Sequence, residues 1–297
     1  VSPSGILLVD KPGGITSHDV VSRTRRALGT RKVGHAGTLD PMATGLLLLG
    51  VDSSTRLLTY LVGLGKRYTA TIRLGVDTDT DDADGRVIAT CDAGALAAVS
   101  RADIDAAIAA LTGELSQVPS SFSAVKVGGR RAYDRARSGE EVVLAPRTVT
   151  VHRFAVLAER RAADAIDLDV VVECTSGTYI RALARDLGRA LGVGGHLTAL
   201  RREAIGTFEV RDAVAVERVD PGALRDPAAI AGELFPTVTL DPAQSTDLAH
   251  GKRVALATPD APVVAAITPD GRLAGLVSVT DGSARVLVNF PADEVLA

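Results

Sequence analysis

The sequence is poor in the residues on which metal, redox and secreted proteins rely. It has two cysteines, Cys91 and Cys174, far apart and in no C-x-x-C. That leaves no disulfide framework and no redox motif, and a reduced pair packed as small hydrophobes is expected. The five histidines are scattered without metal-ligand spacing, so no structural zinc or other metal site is expected. No apolar run approaches the ~18 residues that cross a bilayer. The start of the chain lacks the basic region, apolar stretch and small-residue cleavage site of a secretory signal, so a cytoplasmic protein away from membranes is expected. G-x-S-x-G, Walker A and H-E-x-x-H are all missing. The acidic run from Asp77 to Gly85 is no EF-hand. With Gly85 at the invariant glycine, Thr80 falls at the first ligand position and Cys91 at the twelfth. There is no tryptophan, and tyrosines (4) and phenylalanines (5) are so few that an aromatic inside a motif carries weight.

What is present describes an ordinary globular protein. A hydrophobic fraction of 46% with 23% charged residues is enough to bury a real core. The length, 297 residues, fits one large or two modest domains. A net charge of -3 argues, taken alone, against nucleic acid. The distribution argues the other way. Arg23, Arg25, Arg26, Arg31 and Lys32 form one basic block, and Lys126, Arg130, Arg131, Arg135 and Arg137 form a second, while Asp77, Asp79, Asp81, Asp82 and Asp84 gather elsewhere. Such segregation permits a local phosphate-binding surface, with a solvated helix face as the competing reading for either block.

Residues 5–9 read as a short buried strand, and Thr16 or Ser17 can cap a helix whose Val20, Val21, Thr24, Ala27 and Leu28 share a face. Residues 33–45 read as a glycine-punctuated loop, followed by a buried strand from Leu46 to Leu49. From Lys66 to Leu74 apolar and polar residues alternate, which predicts a half-buried strand. Ser100 with Asp103 makes a capping box for a helix with Ile104, Ala107, Ile108 and Leu111 on one face. Residues 116–141 are polar, basic and interrupted by glycine, as in a surface insertion. Strands near 142–156 and 165–174 precede a helix carrying Ile180, Leu183, Leu187 and Leu191. Prolines 221, 227, 236 and 242 mark a boundary, and the turns Asp270-Gly271 and Asp281-Gly282 punctuate a final small β module. The expected architecture is α+β: a mixed-sheet catalytic domain over 1–236 and a small β-barrel over 237–297.

The stretch Gly34-His35-Ala36-Gly37-Thr38-Leu39-Asp40-Pro41-Met42-Ala43-Thr44-Gly45 stands out. Its three glycines allow tight backbone, and Pro41 restrains Asp40. A carboxylate on a constrained loop before a buried strand is a candidate catalytic group; an ordinary Asp-Pro turn is the alternative. Together with Gly5-Ile6-Leu7-Leu8-Val9-Asp10-Lys11-Pro12, Lys66-Arg67-Tyr68 and Ser176-Gly177-Thr178-Tyr179-Ile180-Arg181, this loop resembles the ordered motifs of the TruB family of tRNA pseudouridine synthases. The resemblance covers most of residues 5–210. The end of the chain resembles that family's C-terminal PUA domain less distinctly.

The resemblance implies an enzyme that flips the uridine at tRNA position 55, in the T loop, into a pocket and isomerises it to pseudouridine with Asp40 as the essential aspartate. The carboxylate can attack C1′, attack C6 or act as a base, and none of these routes needs a cofactor. Arg181 matches the arginine that pairs with the carboxylate, against a solvent-facing reading set by Arg185 and Arg189 at helical spacing. Tyr68 matches the tyrosine that stacks on the base, and Tyr179 a second pocket aromatic. His35 matches a histidine associated with the flipped nucleotide, Leu200 an apolar residue lining the pocket, and Lys11 lies in the first motif. For Tyr68 and Leu200 core packing competes, for His35 a structural hydrogen bond, and for Lys11 a simple turn. The implied partner is the T stem-loop of tRNA, with no obligate protein partner. The 116–141 insertion would grip RNA, and Arg23, Arg26, Arg31, Lys32, Lys126, Arg130 and Arg131 would meet its backbone. A non-catalytic RNA-binding or RNA-folding protein is the alternative from another class.

Overall fold

The computed structural model describes residues 4–120, 126–127, 130–131 and 144–290. Arg135, Arg137 and most of the 116–141 insertion lie outside the described residues; its described start is no surface segment, since Gln117 ends a sheet strand and Ser120 is buried. Of Lys126, Arg130 and Arg131 the backbone alone is described, in a two-stranded pair of Lys126–Val127 with Arg130–Arg131.

The chain forms two compact units. One comprises Val1–Gly37, Leu47–Val62 and Val210–Ala297, the other Thr38–Leu46 and Gly63–Glu209. In the second unit the strand Lys66–Leu74 is central, and its predicted alternation is seen residue by residue: Lys66, Tyr68, Ala70, Ile72 and Leu74 point inward. It pairs antiparallel with Ile166–Cys174 on one side and Gly195–Ile205 on the other. Ile166–Cys174 pairs in turn with Arg147–Arg161, whose far edge carries Gly113–Gln117. Gly195–Ile205 also takes the start of Thr44–Val51 as a parallel neighbour, matching Arg201 to Thr44 and Arg202 to Gly45.

The two faces of this sheet have different jobs. Outward, a polar ladder runs across the strands: Arg67 to Glu209 (2.6 Å), Thr69 to Glu203 (2.8 Å), Thr71 to Asp169 (2.8 Å) and Arg73 to Asp167 (2.7 Å). Such cross-strand pairs fix register and contribute a few tenths to about 1 kcal/mol each. Inward, the apolar residues meet the helices Arg101–Ala110, through Ile104 and Ile108, and Ile180–Ala190, through Ile180, Leu183, Ala184 and Leu187. Gly188 lets that second helix press on the sheet, because a Cβ there would sit 2.1 Å from the Gly194 carbonyl carbon. The Ser100 capping box forms as predicted.

Among the described residues of the first unit are two apolar cores. In one, the strand Gly5–Lys11 and the residues Leu47, Leu49 and Val51 pack against Val20 and Val21 of the helix Ser17–Ala27, which starts with a Thr16–Asp19 capping box. The predicted loop over 33–45 begins with a short strand, Val33–His35, paired with Gly50 and its neighbours. Three residues are too few to show a period in sequence. In the other, Thr237–Thr239, Ala261–Ile267, Leu273–Thr280, Ser283–Asn289 and Val254–Ala255 form a five-stranded sheet curled into a PUA-like half-barrel. Its turns fall at Asp270-Gly271 and Asp281-Gly282 as read from sequence; Gly271, Asp281 and Gly282 all have positive φ. No described helix is long and apolar enough to cross a membrane.

Candidate active site

Asp40 is held by its neighbours on both sides. Leu39 and Ala43 are buried in the core of the second unit, and the Ala43 N–H donates to the Asp40 carbonyl at 3.1 Å, closing a turn around Pro41. The loop then runs into the sheet at Gly45, whose φ is +101°. A Cβ there would lie 2.3 Å from the Arg202 carbonyl oxygen, so only glycine admits this approach. With both flanks fixed, the Asp40 side chain stays 34% exposed while its backbone is anchored.

Arg181 meets that carboxylate from the first turn of the helix Ile180–Ala190. Its Nη2 donates to Oδ1 at 3.1 Å, and its Nε lies 2.9 Å from Oδ2 as an ion-pair contact without hydrogen-bond alignment. The side chain is only 4% exposed, which rules out the solvent-facing alternative. Its other end is equally committed: Nη1 donates to the Thr80 carbonyl at 2.8 Å and to Ser120 Oγ at 3.2 Å. A second carboxylate, Asp82, is 3.5 Å from Nη1 and 6% exposed. Asp82 is itself fixed by Thr80 Oγ1 (2.5 Å) and the Asp84 N–H (3.2 Å).

One buried guanidinium therefore faces two carboxylates of different access, Asp82 closed and Asp40 open. A buried cation needs a counter-charge and satisfied donors. Asp82 and the carbonyl supply these at the back, so the arginine can offer its remaining edge to Asp40. The sequence reading missed Asp82 as a site residue. The signal was present only as an acidic turn, which reads as structural because several of its members are. Asp77 accepts from the Gly195 N–H at 2.8 Å, and Asp81 pairs with Arg185 at 3.3 Å. Burial pushes the Asp81 carboxyl upward, opposed by Arg185.

Tyr68 lies on the inward face beside Leu39, Ala43 and Leu200 in one apolar cluster, 8% exposed. Burial raises its phenol above the usual range, and the Arg202 charge, with a hydrogen bond from the same residue, opposes that rise. Arg202 is fully buried, with its Nε donating to the Leu46 carbonyl at 2.7 Å. Burial with the nearby Arg202 charge pulls Lys66 down to about 8, and burial raises the Cys174 thiol to about 11, so that cysteine behaves as the expected small hydrophobe. Tyr179 is half-buried directly before the helix. The second unit thus brings together Asp40, Arg181, Tyr68, Tyr179 and Leu200.

Lys11 and His35 belong to the first unit. Lys11 is buried, its ammonium donating to the carbonyls of Pro12 (2.9 Å) and Ile15 (2.7 Å). His35 is half-buried at the end of its short strand, opposite Leu49. Of the first basic block, Lys32 pairs with Asp52 at 3.0 Å, Arg23 with Glu217 at 3.6 Å, and Arg26 and Arg31 are exposed. Among the described residues, no group of three His, Cys, Asp or Glu is placed to hold a metal.

Residues 25–180 match the family described as TruB family pseudouridylate synthase (N terminal domain). The chain is 60% identical to a "tRNA pseudouridine synthase B" of Leifsonia xyli subsp. xyli, with 98% of each chain covered. The chain belongs to the TruB family of pseudouridine synthases. It is therefore an isomerase. A second such protein, from an Arthrobacter species, is 54% identical over 98% of each chain. Residues 181–227 match the "tRNA pseudouridylate synthase B C-terminal domain", and residues 235–291 match "tRNA Pseudouridine synthase II, C terminal". In fold, the TruB chain resembles a protein in the structure of an H/ACA RNP bound to a substrate RNA containing 2′-deoxyuridine. The TM-score is 0.70 at 24% identity, over 97% of this chain and 86% of the other. A chain of a Cbf5-Nop10-Gar1 complex gives a TM-score of 0.69 at 25% identity, over 97% and 84%.

Proposed function

We propose that this chain converts uridine to pseudouridine in tRNA, at position 55 of the T loop, with Asp40 as the essential carboxylate. The observation that carries this reading is the open carboxylate of Asp40, aimed by an arginine that is itself buried and fixed from behind by Asp82. The reaction breaks the N1–C1′ bond, turns the uracil and forms a C5–C1′ bond; a proton leaves C5, and N1 ends protonated. Reactant and product have the same atoms, so a carboxylate that stabilises or captures the separated sugar, or moves a proton, supplies the chemistry. Arg181 is the positioning partner of that carboxylate.

N1 and C5 cannot be reached inside a stacked loop, so the target base must leave the stack. Tyr68 and Leu200 offer it an aromatic and an apolar wall. Stacking is worth about 1–3 kcal/mol per base, and it needs the ring rather than the hydroxyl. Tyr68→Leu should therefore slow turnover by about 10-fold to 100-fold, while Tyr68→Phe keeps most of the rate and loses only the Arg202 hydrogen bond. Equal losses in the two variants, measured at saturating RNA, would give the hydroxyl the main role.

The exposed Arg26 and Arg31 and the basic residues of the 116–141 segment, from Lys126 onward, are assigned to phosphate contacts, and residues 237–297 to RNA beyond the target loop. An enzyme serving many tRNAs must read loop shape and a few splayed bases. An isolated T stem-loop should be modified at one uridine without metal, ATP or reductant, and affinity should fall steeply between ~50 and ~200 mM salt. Mapping pseudouridine in that RNA is the test. Strict dependence on the anticodon arm, or modification of ribosomal RNA alone, would keep the chemistry and reject the substrate.

A further inference from the structure

The helix that carries Arg181 begins without a cap of its own. Tyr179 stands at the N-cap position in extended backbone (φ -100°, ψ 107°) and makes no side-chain capping bond. Ala182, where a capping-box partner would sit, has no polar atom to reach back. The N–H of an N-cap residue belongs to the set left without intrahelical partners.

Gln117 supplies what the helix lacks, from a strand 62 residues away. Its Oε1 accepts from the Tyr179 N–H at 2.8 Å, and its Nε2 donates to the Tyr179 carbonyl at 3.1 Å. The same carbonyl accepts the Leu183 N–H at 3.2 Å in the first helical turn. Gln117 is 3% exposed, so the carboxamide works where water does not compete. A carboxamide can donate and accept on one plane, as a peptide group does; this one extends the edge strand Gly113–Gln117 onto the backbone just before Arg181. The residues that follow Gln117 hold the same helix. The Val118 carbonyl accepts from Arg185 Nη2 at 2.9 Å, and Ser120 Oγ accepts from Arg181 Nη1. Ser120 is fully buried and donates to the Thr80 carbonyl at 3.2 Å, the group Arg181 also uses.

We propose that Gln117 is a positioning residue for the reaction, setting through Tyr179 the place from which Arg181 meets Asp40. A cap at this point controls the first turn of the helix, and Arg181 is its second residue. A shift of about 1 Å in a reacting constellation can cost about 100-fold in rate. The inference rests on the proposed pairing of Arg181 with Asp40, and the experiment separates the two.

The full-length protein would be assayed on a T stem-loop RNA in single turnover at saturating enzyme, with RNA binding measured alongside. Gln117→Met keeps length and shape and removes both hydrogen bonds. It should slow pseudouridine formation by about 10-fold to 100-fold and leave Kd within about twofold. In an Arg181→Lys background the same change should cost less than about threefold, because residues acting through one group are non-additive. A rate within twofold of wild type, a loss confined to Kd, or losses that multiply in the double variant would each overturn the role of Gln117. An unchanged rate in Arg181→Lys itself would instead overturn the pairing beneath it. Should Gln117→Met lose its cooperative melt, Gln117→Glu carries the same cycle, since it keeps the acceptor for the Tyr179 N–H and loses the donor. Unfolding of both variants would show a fold residue alone and overturn the assignment as well.

Discussion

Asp40→Asn is expected to abolish pseudouridine formation while RNA binding survives. The amide has nearly the volume of the carboxylate, and Leu39, Ala43 and the Ala43-to-Asp40 backbone bond fix the loop without help from the side chain. One amide oxygen still accepts from Arg181. What is lost is the charge and the nucleophilic oxygen, at the more open of the two carboxylates that face Arg181. A loss of at least about 1,000-fold, near 4 kcal/mol, is expected in single turnover, with Kd changed by less than about threefold. Measuring the rate at saturating enzyme keeps the two quantities apart. Substantial turnover in this variant would remove Asp40 from the chemistry and leave it as the Asp-Pro turn that the sequence also allows.

Features with a short period or a local cap were legible in the sequence. The strand Lys66–Leu74 shows its alternation directly, and Ser100 with Asp103 shows its cap. The Asp40 loop was legible through its resemblance to a TruB motif; its glycines and Pro41 alone left an ordinary Asp-Pro turn open. Arg181 shows where such reading stops. Arg181, Arg185 and Arg189 repeat at helical spacing, and a repeat of charge reads as a solvated face. In the structure the three are buried, half-buried and exposed in that order. The helix enters the core at its N-terminal end, where Asp40, Asp82, Asp81 and the Thr80 carbonyl wait for the first two arginines. None of those partners is near them in sequence, so spacing along the helix could not distinguish the three. Asp82 and Gln117 were invisible for the same reason: each acts on a group that only the fold brings near. The strand Arg147–Arg161 ran past its predicted end because bulges near Val151 and Val156 break its alternation.

Arg181→Met is expected to come close to Asp40→Asn in rate, and unlike it to cost stability. The methionine fills part of the space and supplies no donor, so Asp40 loses the contacts that aim it. Behind it, Asp82 loses the cation 3.5 Å away in a place with almost no water. Removing one partner of a buried pair costs about 3–5 kcal/mol, because the other charge is stranded. Thr80 Oγ1 and the Asp84 N–H still bind Asp82, which places the loss toward the lower end of that range. A melt and a single-turnover rate separate the two consequences. Adding Asp82→Asn to Arg181→Met removes the stranded charge, and most of the lost stability should return. The rate should not return, since neither residue then holds Asp40. Recovery of both together would make the arginine a folding element whose loss is felt at Asp40 only through the melt. A normal rate in the single variant would detach Arg181 from the reaction altogether.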